Sequence, residues 1–522
     1  TVSGTIAPGN SPGTLSVSAL TLNGGGVYTW EMGDATGAAG TGWDRIASSG
    51  LLTINSTSGS TFTIAITSTG APTNWNYQTA SQSWDIITYG TISGFDATKF
   101  SINATAFGGT LGANNTSSWA LTDTGSALRL TFTYASDPIW AGGTGNWTTG
   151  FSPAITNGAN ATFTGVGGTA THNIASATLG TLGTLTFNST AGAYTLAANS
   201  GSSGYDAASA FTLGGNIINN STATQTINLA LNLNSSRVVN TASGNITIGG
   251  VIAGTGGLIK SGSSTLTLSS AANNTYTGAT TVNAGTLILQ PTSVFNNGTW
   301  TISSNSTINS GATLQLDTSA QNGSGTNRQN VGTITINSGG TLELLNTNTT
   351  KDASIWGGGT VLGTGTIKKS GAGYQDIAWS GSASSLNNFN GTILVNAGTL
   401  AVNSGNGTTA GSGNANLNVA SGATFDIRTG TLKINSLDGA GTITATQNFG
   451  NMLNLGNNNG NGTFSGIIQN GSTAVIALIK NGTGTQVLSG NNTYSGTTTI
   501  NAGTLEIGAA GRLGGGTYAA AI

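Results

Sequence analysis

The sequence predicts an all-β protein: an elongated parallel β-solenoid (β-helix) of about 20 coils, with a Trp-richer β block at its N-terminal side. Three observations point there. One phrase recurs almost unchanged at Val282-Asn283-Ala284-Gly285-Thr286-Leu287, Val395-Asn396-Ala397-Gly398-Thr399-Leu400 and Ile500-Asn501-Ala502-Gly503-Thr504-Leu505. Period-2 alternation of Thr with apolar residues, broken by Gly and Asn, is common, as in residues 61–66, 265–268, 333–336 and 341–344. Helical periodicity is hard to find anywhere. Such runs are half-buried strands, and Gly and Asn turn the chain because they tolerate positive φ.

Looser copies of the phrase set the coil length. They occur at Ile308-Asn309-Ser310-Gly311-Ala312-Thr313-Leu314, Ile336-Asn337-Ser338-Gly339-Gly340-Thr341-Leu342 and Val419-Ala420-Ser421-Gly422-Ala423-Thr424-Phe425. Leu287, Leu314 and Leu342 lie about 27 or 28 residues apart, and Leu400 and Phe425 about 25 apart, which is one coil. Coils stack at the strand spacing of about 4.8 Å, so 20 of them would make a rod of roughly 100 Å.

A longer unit surrounds each copy, near residues 254–289, 363–402 and 475–507. Lys260-Ser261-Gly262 leads through Asn274-Thr275-Tyr276-Thr277-Gly278 to the first phrase, and Lys480-Asn481-Gly482 through Asn492-Thr493-Tyr494-Ser495-Gly496 to the third. The middle unit runs from Lys369-Ser370-Gly371 through Asn388-Phe389-Asn390-Gly391, and its extra residues from Tyr374 to Trp379 are expected to bulge out as a loop. This pattern resembles the autotransporter-associated β-strand repeat of bacterial surface proteins. The resemblance implies a scaffold in an extracellular or cell-surface setting and says little about chemistry.

Residues 1–136 differ in texture and read as a solenoid-like or β-sandwich block; residues 137–522 read as the repeat-bearing solenoid. Seven of the ten Trp precede residue 148, and five of the six Pro precede residue 154. Gly4-Thr5-Ile6-Ala7-Pro8-Gly9-Asn10-Ser11-Pro12-Gly13-Thr14-Leu15 resembles a phrase of large solenoid surface proteins, in which such a block usually follows the repeats. Here it comes first, and Asp137-Pro138-Ile139-Trp140 looks like the opening of a new block. The chain therefore reads as one period of a longer array, or as a subunit whose ends meet in a polymer. Thr1 opens it without Met or signal peptide, which suggests processing or a piece of a longer polypeptide.

Composition narrows the function. Only 5% of residues are charged, against about 25% in ordinary proteins, and the net charge is -2. That gives no field for nucleic acid or anionic lipid. Cys is absent, which excludes thiol catalysis and cysteine-held metal sites. No apolar run approaches the roughly 18 residues of a membrane-spanning helix.

Candidate chemistry is sparse, and no residue is assigned a catalytic role. His172, the lone histidine, reads as a surface or turn residue. Glu31, Asp34 and Asp44 in a Gly-rich stretch have the oxygen chemistry of a calcium site, but the Gly-Gly-x-Gly-x-Asp and EF-hand patterns are absent, and an ordinary polar loop is simpler. Asp426, Arg428 and Lys433 lie close enough to share a face, as a polysaccharide-cleaving β-helix would require; an outward ion pair beside a buried Ile427 is the plainer reading. Lys260, Lys369 and Lys480 recur at equivalent positions and read as scaffold that caps turn carbonyls. Trp75, Tyr77 and Trp84 are the best sugar-stacking group, against core packing.

The functional expectation is a structural, non-enzymatic surface solenoid. Neither end shows a polar cap, so head-to-tail self-association into a filament is expected through Thr1, Val2, Ile6, Tyr518 and Ile522. A carbohydrate-binding adhesin for surface glycans is the alternative, and a polysaccharide-degrading enzyme using Asp426 or Asp376 the third.

Overall fold

The computed structural model describes residues 1–9, 12–75, 81–108, 118–133, 137–174, 179–198, 211–290, 299–302, 305–319, 327–350, 353–356, 360–378, 386–403 and 409–522. The described residues are almost entirely strands and turns, with one four-residue α-helical turn at Trp147–Gly150. The chain divides into two compact units, Thr1–Pro138 with Gly158–Asn160, and Ile139–Asn157 with Ala161–Ile522.

In the first unit the chain visits three sheets in rotation. Thr5–Ile6, Thr14–Val17 and Leu20–Leu22 are followed by Val27–Glu31, Arg45–Ser48 and Leu51–Ile54, each paired in parallel with its counterpart one round earlier. Phe62–Thr67, Gln82–Thr88 and Thr91–Ser93 make the next round. The order then breaks. Ala127–Thr133 adds to Gln82–Thr88 antiparallel, and Ser118–Asp123 adds antiparallel to it. Alternation decides what lies inside: Tyr28, Trp30, Phe62, Ile64 and Ile66 have no exposed surface, while their neighbours along each strand are half-buried.

The second unit is a parallel stack. Among the described residues its strands form sheets of 16, 11, 8, 5 and 4 strands. One antiparallel pair, Ile139–Trp140 with Phe151–Ser152, lies at the edge of the 11-stranded sheet. Register proves the coil spacing, since Leu287 stacks on Leu314 and Leu314 on Leu342. Some coils are shorter than the 25 to 28 residues expected, both before and after these; Ile248 stacks on Leu268, Leu417 on Leu437 and Phe425 on Ile443. The core is a set of aliphatic columns. In the 16-stranded sheet one column runs Leu196, Ile227, Ile248, Leu268, Leu289, Leu316 and Leu344, all buried. Each such side chain contributes about 1.5–3 kcal/mol of burial, and β-branched and γ-branched residues suit the pleated, buried face.

Candidate functional site

The aliphatic columns are interrupted at three places by lysine. The column above continues from Leu344 to Lys369 and then Val395. In the 11-stranded sheet Val239 is followed by Lys260 and then Val282, and in the five-stranded sheet Leu455 is followed by Lys480 and then Ile500. All three lysines have no exposed surface.

A buried ammonium needs three acceptors, and each finds them in main-chain carbonyls. Lys260 Nζ donates to Ser261 O (2.9 Å), Gly262 O (2.7 Å) and Ala284 O (2.9 Å). Lys369 Nζ donates to Ser370 O (2.7 Å), Gly371 O (2.7 Å) and Ala397 O (3.4 Å). Lys480 Nζ donates to Asn481 O (2.6 Å), Gly482 O (3.0 Å) and Ala502 O (3.4 Å). Two acceptors lie in the lysine's own turn, and the third is the Ala of the recurring phrase one coil later. The lysine thus ties the Lys-x-Gly turn to the Asn-Ala-Gly turn stacked on it. Among the described residues none of the three forms an ion pair. Burial lowers their ammonium pKa, to about 8 at Lys260 and Lys369.

The glycine of the phrase follows from this contact. Gly285, Gly398 and Gly503 have φ of 63°, 65° and 66°. A Cβ at Gly285 would stand 2.5 Å from Ser264 O and 2.6 Å from Gly262 O; at Gly398, 2.4 Å from Gly373 O; and at Gly503, 2.4 Å from Gly482 O. Only glycine permits both the left-handed backbone and the close approach.

The aromatic segment of the repeat replaces a strand. In the first copy Tyr276 is buried and its hydroxyl meets Thr280 Oγ1 at 2.7 Å; in the third, Tyr494 meets Thr498 Oγ1 at 2.8 Å. The middle copy has Phe389 and Ile393 at the same places, both buried. A buried hydroxyl comes with a hydroxyl partner, and where one is lost so is the other. Tyr494→Phe or Thr498→Val alone should therefore destabilise by about 1–2 kcal/mol, whereas the Phe/Ile combination found in the middle copy should cost less than the two together, the remainder being the Tyr518 hydroxyl, which loses Thr498 Oγ1 and keeps Gly496 O. A double-mutant cycle by urea denaturation measures the coupling. The middle copy's Tyr374–Ala378 does not bulge out as expected: it is a strand, paired with Thr399–Asn403 and matching Thr265–Leu268 of the first copy. The additional residues come after it, where 379–385 lie outside the described residues.

The other candidates are dispersed. His172 is not a surface residue. It lies in the strand Gly168–His172, 4% exposed, with its ring 4.7 Å from that of Trp147 in an edge-on contact. The alternation of Ala170-Thr171-His172 points it inward beside Ala170. Burial pushes its pKa down to about 4. The unfolded imidazole binds a proton near pH 6.5, so the unfolded state gains protons first on acidification. Stability should hold above pH 6.5 and fall as the pH drops towards 4, by at most about 3 kcal/mol. Proton NMR of the single histidine, with denaturation at pH 7 and 4.5 for wild type and His172→Phe, reads this directly.

Asp426 does pair with Arg428, at 2.9 Å, but the pair is not an open outward one. Asp426 is 1% exposed and also accepts Thr446 N (2.8 Å) and Thr446 Oγ1 (2.6 Å), while the Arg428 guanidinium lies 4.9 Å from the Tyr374 ring centre. Lys433 belongs to Thr431–Lys433 in a different sheet and does not join them. Asp376 is buried on the same sheet as Asp426, separated from it by the strand carrying Ala401.

Glu31, Asp34 and Asp44 have separate tasks. Asp44 is buried and accepts Gly13 N (2.8 Å) and Glu31 N (3.0 Å). Asp34 Oδ1 accepts Thr36 N and Asn74 Nδ2, each at 3.0 Å, and these bonds lower its pKa. No group of three metal-ligating side chains occurs among the described residues.

Trp84 is 3% exposed and its indole N–H donates to Ala35 O (2.9 Å), so it offers no open face. Trp75 is half-buried and stacks on Trp84 and Trp119, with centroids 6.1 and 5.8 Å apart. Tyr77 lies outside the described residues. Of the expected end contacts, Val2 is 9% exposed and bridges Leu22, and Ile6 pairs with Tyr28. Thr1 is exposed, as is Ile522 at 77%. Tyr518 turns back on its own chain, its hydroxyl bonded to Gly496 O (2.5 Å) and Thr498 Oγ1 (2.7 Å).

The lysine-clamped segments are also what known proteins share with this chain. Residues 258–289, 367–402 and 478–507 match the passenger-associated-transport-repeat family. The chain carries three passenger-associated transport repeats. It is 33% identical over 242 residues to the adhesin BmaC autotransporter of Brucella suis biovar 1, a match that covers 45% of this chain and 6% of that adhesin. No solved structure matches. Passenger repeats and an autotransporter adhesin as relative place the chain at the bacterial cell surface or outside the cell.

Proposed function

We propose that this chain is a stretch of an adhesin-like autotransporter passenger whose solenoid is a non-catalytic, load-carrying scaffold. The observation that carries this reading is the 16-stranded ladder that passes through all three clamped repeats. The charges that are deeply buried in the stack are engaged by turn carbonyls or by neighbouring side chains, as at Lys260, Lys369, Lys480 and Asp426. The 16 strands of that ladder support a solenoid of about 20 coils, and residues 1–136 are read as a Trp-richer block that precedes the repeats in the sequence. Purified protein should bind host-cell or matrix surfaces while showing no turnover on a polysaccharide panel. Cleavage abolished by Asp426→Asn or Asp376→Asn would overturn the scaffold reading in favour of an enzyme.

Filament or tandem-fibre assembly extends the same reading. The inward positions Ile500 and Ile507 are 44% and 41% exposed, whereas Val282 and Leu289 at the same places in the first repeat are fully buried. A further coil on that face, from a longer array or from a second copy, would bury them. Electron microscopy and light scattering should show end-to-end particles; monodisperse monomers at high concentration would argue against assembly between copies. Glycan binding by the tryptophan cluster is a second reading, favoured by the half-buried Trp75, and glycan-array signal lost in Trp75→Ala tests it.

A further inference from the structure

The three clamped turns differ at one position. Lys260 and Lys369 precede Ser261-Gly262 and Ser370-Gly371, whereas Lys480 precedes Asn481-Gly482. In an Asn-Gly pair the side-chain amide is readily lost, because glycine leaves the following peptide nitrogen unshielded and free to reach the carboxamide carbon.

The surroundings of Asn481 act on both partners of that reaction. Lys480 Nζ donates to Asn481 O at 2.6 Å, so an ammonium draws electron density from the peptide group whose nitrogen is Gly482 N. That N–H becomes a better acid, and among the described residues it donates to no acceptor. At two other Asn-Gly turns the nitrogen is engaged: Gly460 N donates to Asn435 Oδ1 (2.8 Å) and Gly471 N to Ala474 O (3.0 Å). On the carboxamide, Asn501 Nδ2 donates to Asn481 Oδ1 at 2.8 Å, where negative charge gathers when Cγ is attacked. Asn481 Nδ2 donates to Asn454 Oδ1 (2.6 Å) and Asn457 Oδ1 (3.2 Å), which fix the nitrogen that departs.

We infer that Asn481-Gly482 is a self-modifying turn, in which the buried Lys480 promotes conversion of the Asn481 amide to a carboxylate. Gly482 N gives up its proton and attacks Asn481 Cγ. The N–Cγ bond forms, the Cγ–Nδ2 bond breaks, and Nδ2 leaves as ammonia carrying the proton that Gly482 N lost. The product is a five-membered imide, and water then adds across one of its two C–N bonds. Opening at Cγ leaves an aspartyl residue; opening at the main-chain carbonyl leaves an isoaspartyl linkage, in which the main chain runs through Cγ. Either product replaces a donor by an anion. The bonds to Asn454 and Asn457 are lost, and Lys480, held until then by carbonyl oxygens, gains a negative charge in the adjoining residue. The third clamp is set to change with time; the first two, with serine at the same place, are not.

Peptide mapping by mass spectrometry, with isoaspartyl content, on the intact folded protein held at neutral pH tests this. Conversion at Asn481 should outpace that at Asn390-Gly391 at least about tenfold. There Asn414 Nδ2 donates to Asn390 Oδ1 in the same way (2.9 Å), but Phe389, not lysine, precedes the pair. Lys480→Met and Asn501→Ala should each slow conversion at Asn481 at least about tenfold and leave Asn390 unchanged. Ser261→Asn, which sets an Asn-Gly turn on Lys260, should create a second converting site. Equal rates at Asn481 and Asn390, or a rate at Asn481 that the two variants leave unchanged or raise, would overturn the inference. If Lys480→Met does not fold, the exposed Asn501→Ala and the gain at Ser261→Asn still decide it.

Discussion

Replacing Lys260 by methionine should cost about 2–4 kcal/mol, although methionine matches the aliphatic column above and below it. The loss comes from acceptors, not from volume. Gly262 and Ala284 would each keep a part-buried carbonyl without its donor, at about 1–3 kcal/mol apiece before relaxation, whereas Ser261 O still accepts from Thr241 N (3.0 Å), and relief of the buried charge returns part of that. Arginine should not rescue, because its planar fork cannot meet three carbonyls set around a point charge. The comparison is Lys368→Met. Lys368 pairs with Glu343 at 2.9 Å and is 35% exposed, so its removal should cost under about 1 kcal/mol. Urea denaturation followed by circular dichroism, with exchange rates of the 280–289 amides as the local reading, separates the two.

Gly285→Ala should cost about 3 kcal/mol or more, while Gly311→Ala should cost about 1–2. Both glycines have positive φ, 63° and 75°, so both substitutions meet the same backbone strain. They differ in what lies across the coil step. A Cβ at Gly285 would meet three carbonyl oxygens of residues 262–264, the nearest at 2.5 Å, whereas a Cβ at Gly311 would meet nothing within 4 Å. The tight phrase lies over a lysine that bonds both turns. The looser copy at 308–314 is one residue longer, has no lysine beneath it and leaves its glycine room. Equal costs at the two sites would mean that backbone strain alone keeps the glycine.

The solenoid was legible because its signal is repetition. Strict alternation placed Thr265–Leu268 and Thr341–Leu345 as strands, and phrase spacing put Leu287, Leu314 and Leu342 in one column. The lysines were legible as scaffold from their recurrence. What recurrence could not show is that they point inward, since a lysine in an alternating strand is ordinarily assigned to the outer face. His172 was misplaced for the same reason: residue type was weighed above its phase with Ala170 and Trp147. The Tyr–Thr and Phe–Ile pairs at i and i+4 were present in the sequence and would have reported a buried hydroxyl contact, had the three units been compared position by position.

The chemistry around the buried lysines bears on how such a chain grows. Each ammonium is held by main-chain oxygens alone, and the turn that receives it asks only for glycine. A stretch of some 30 residues therefore carries its own fastening and requires no matching acid elsewhere. Duplicated within a gene, it would insert into the stack as a finished part, and its neighbours would need no compensating change. Length in this molecule can be inherited by copying, without redesign.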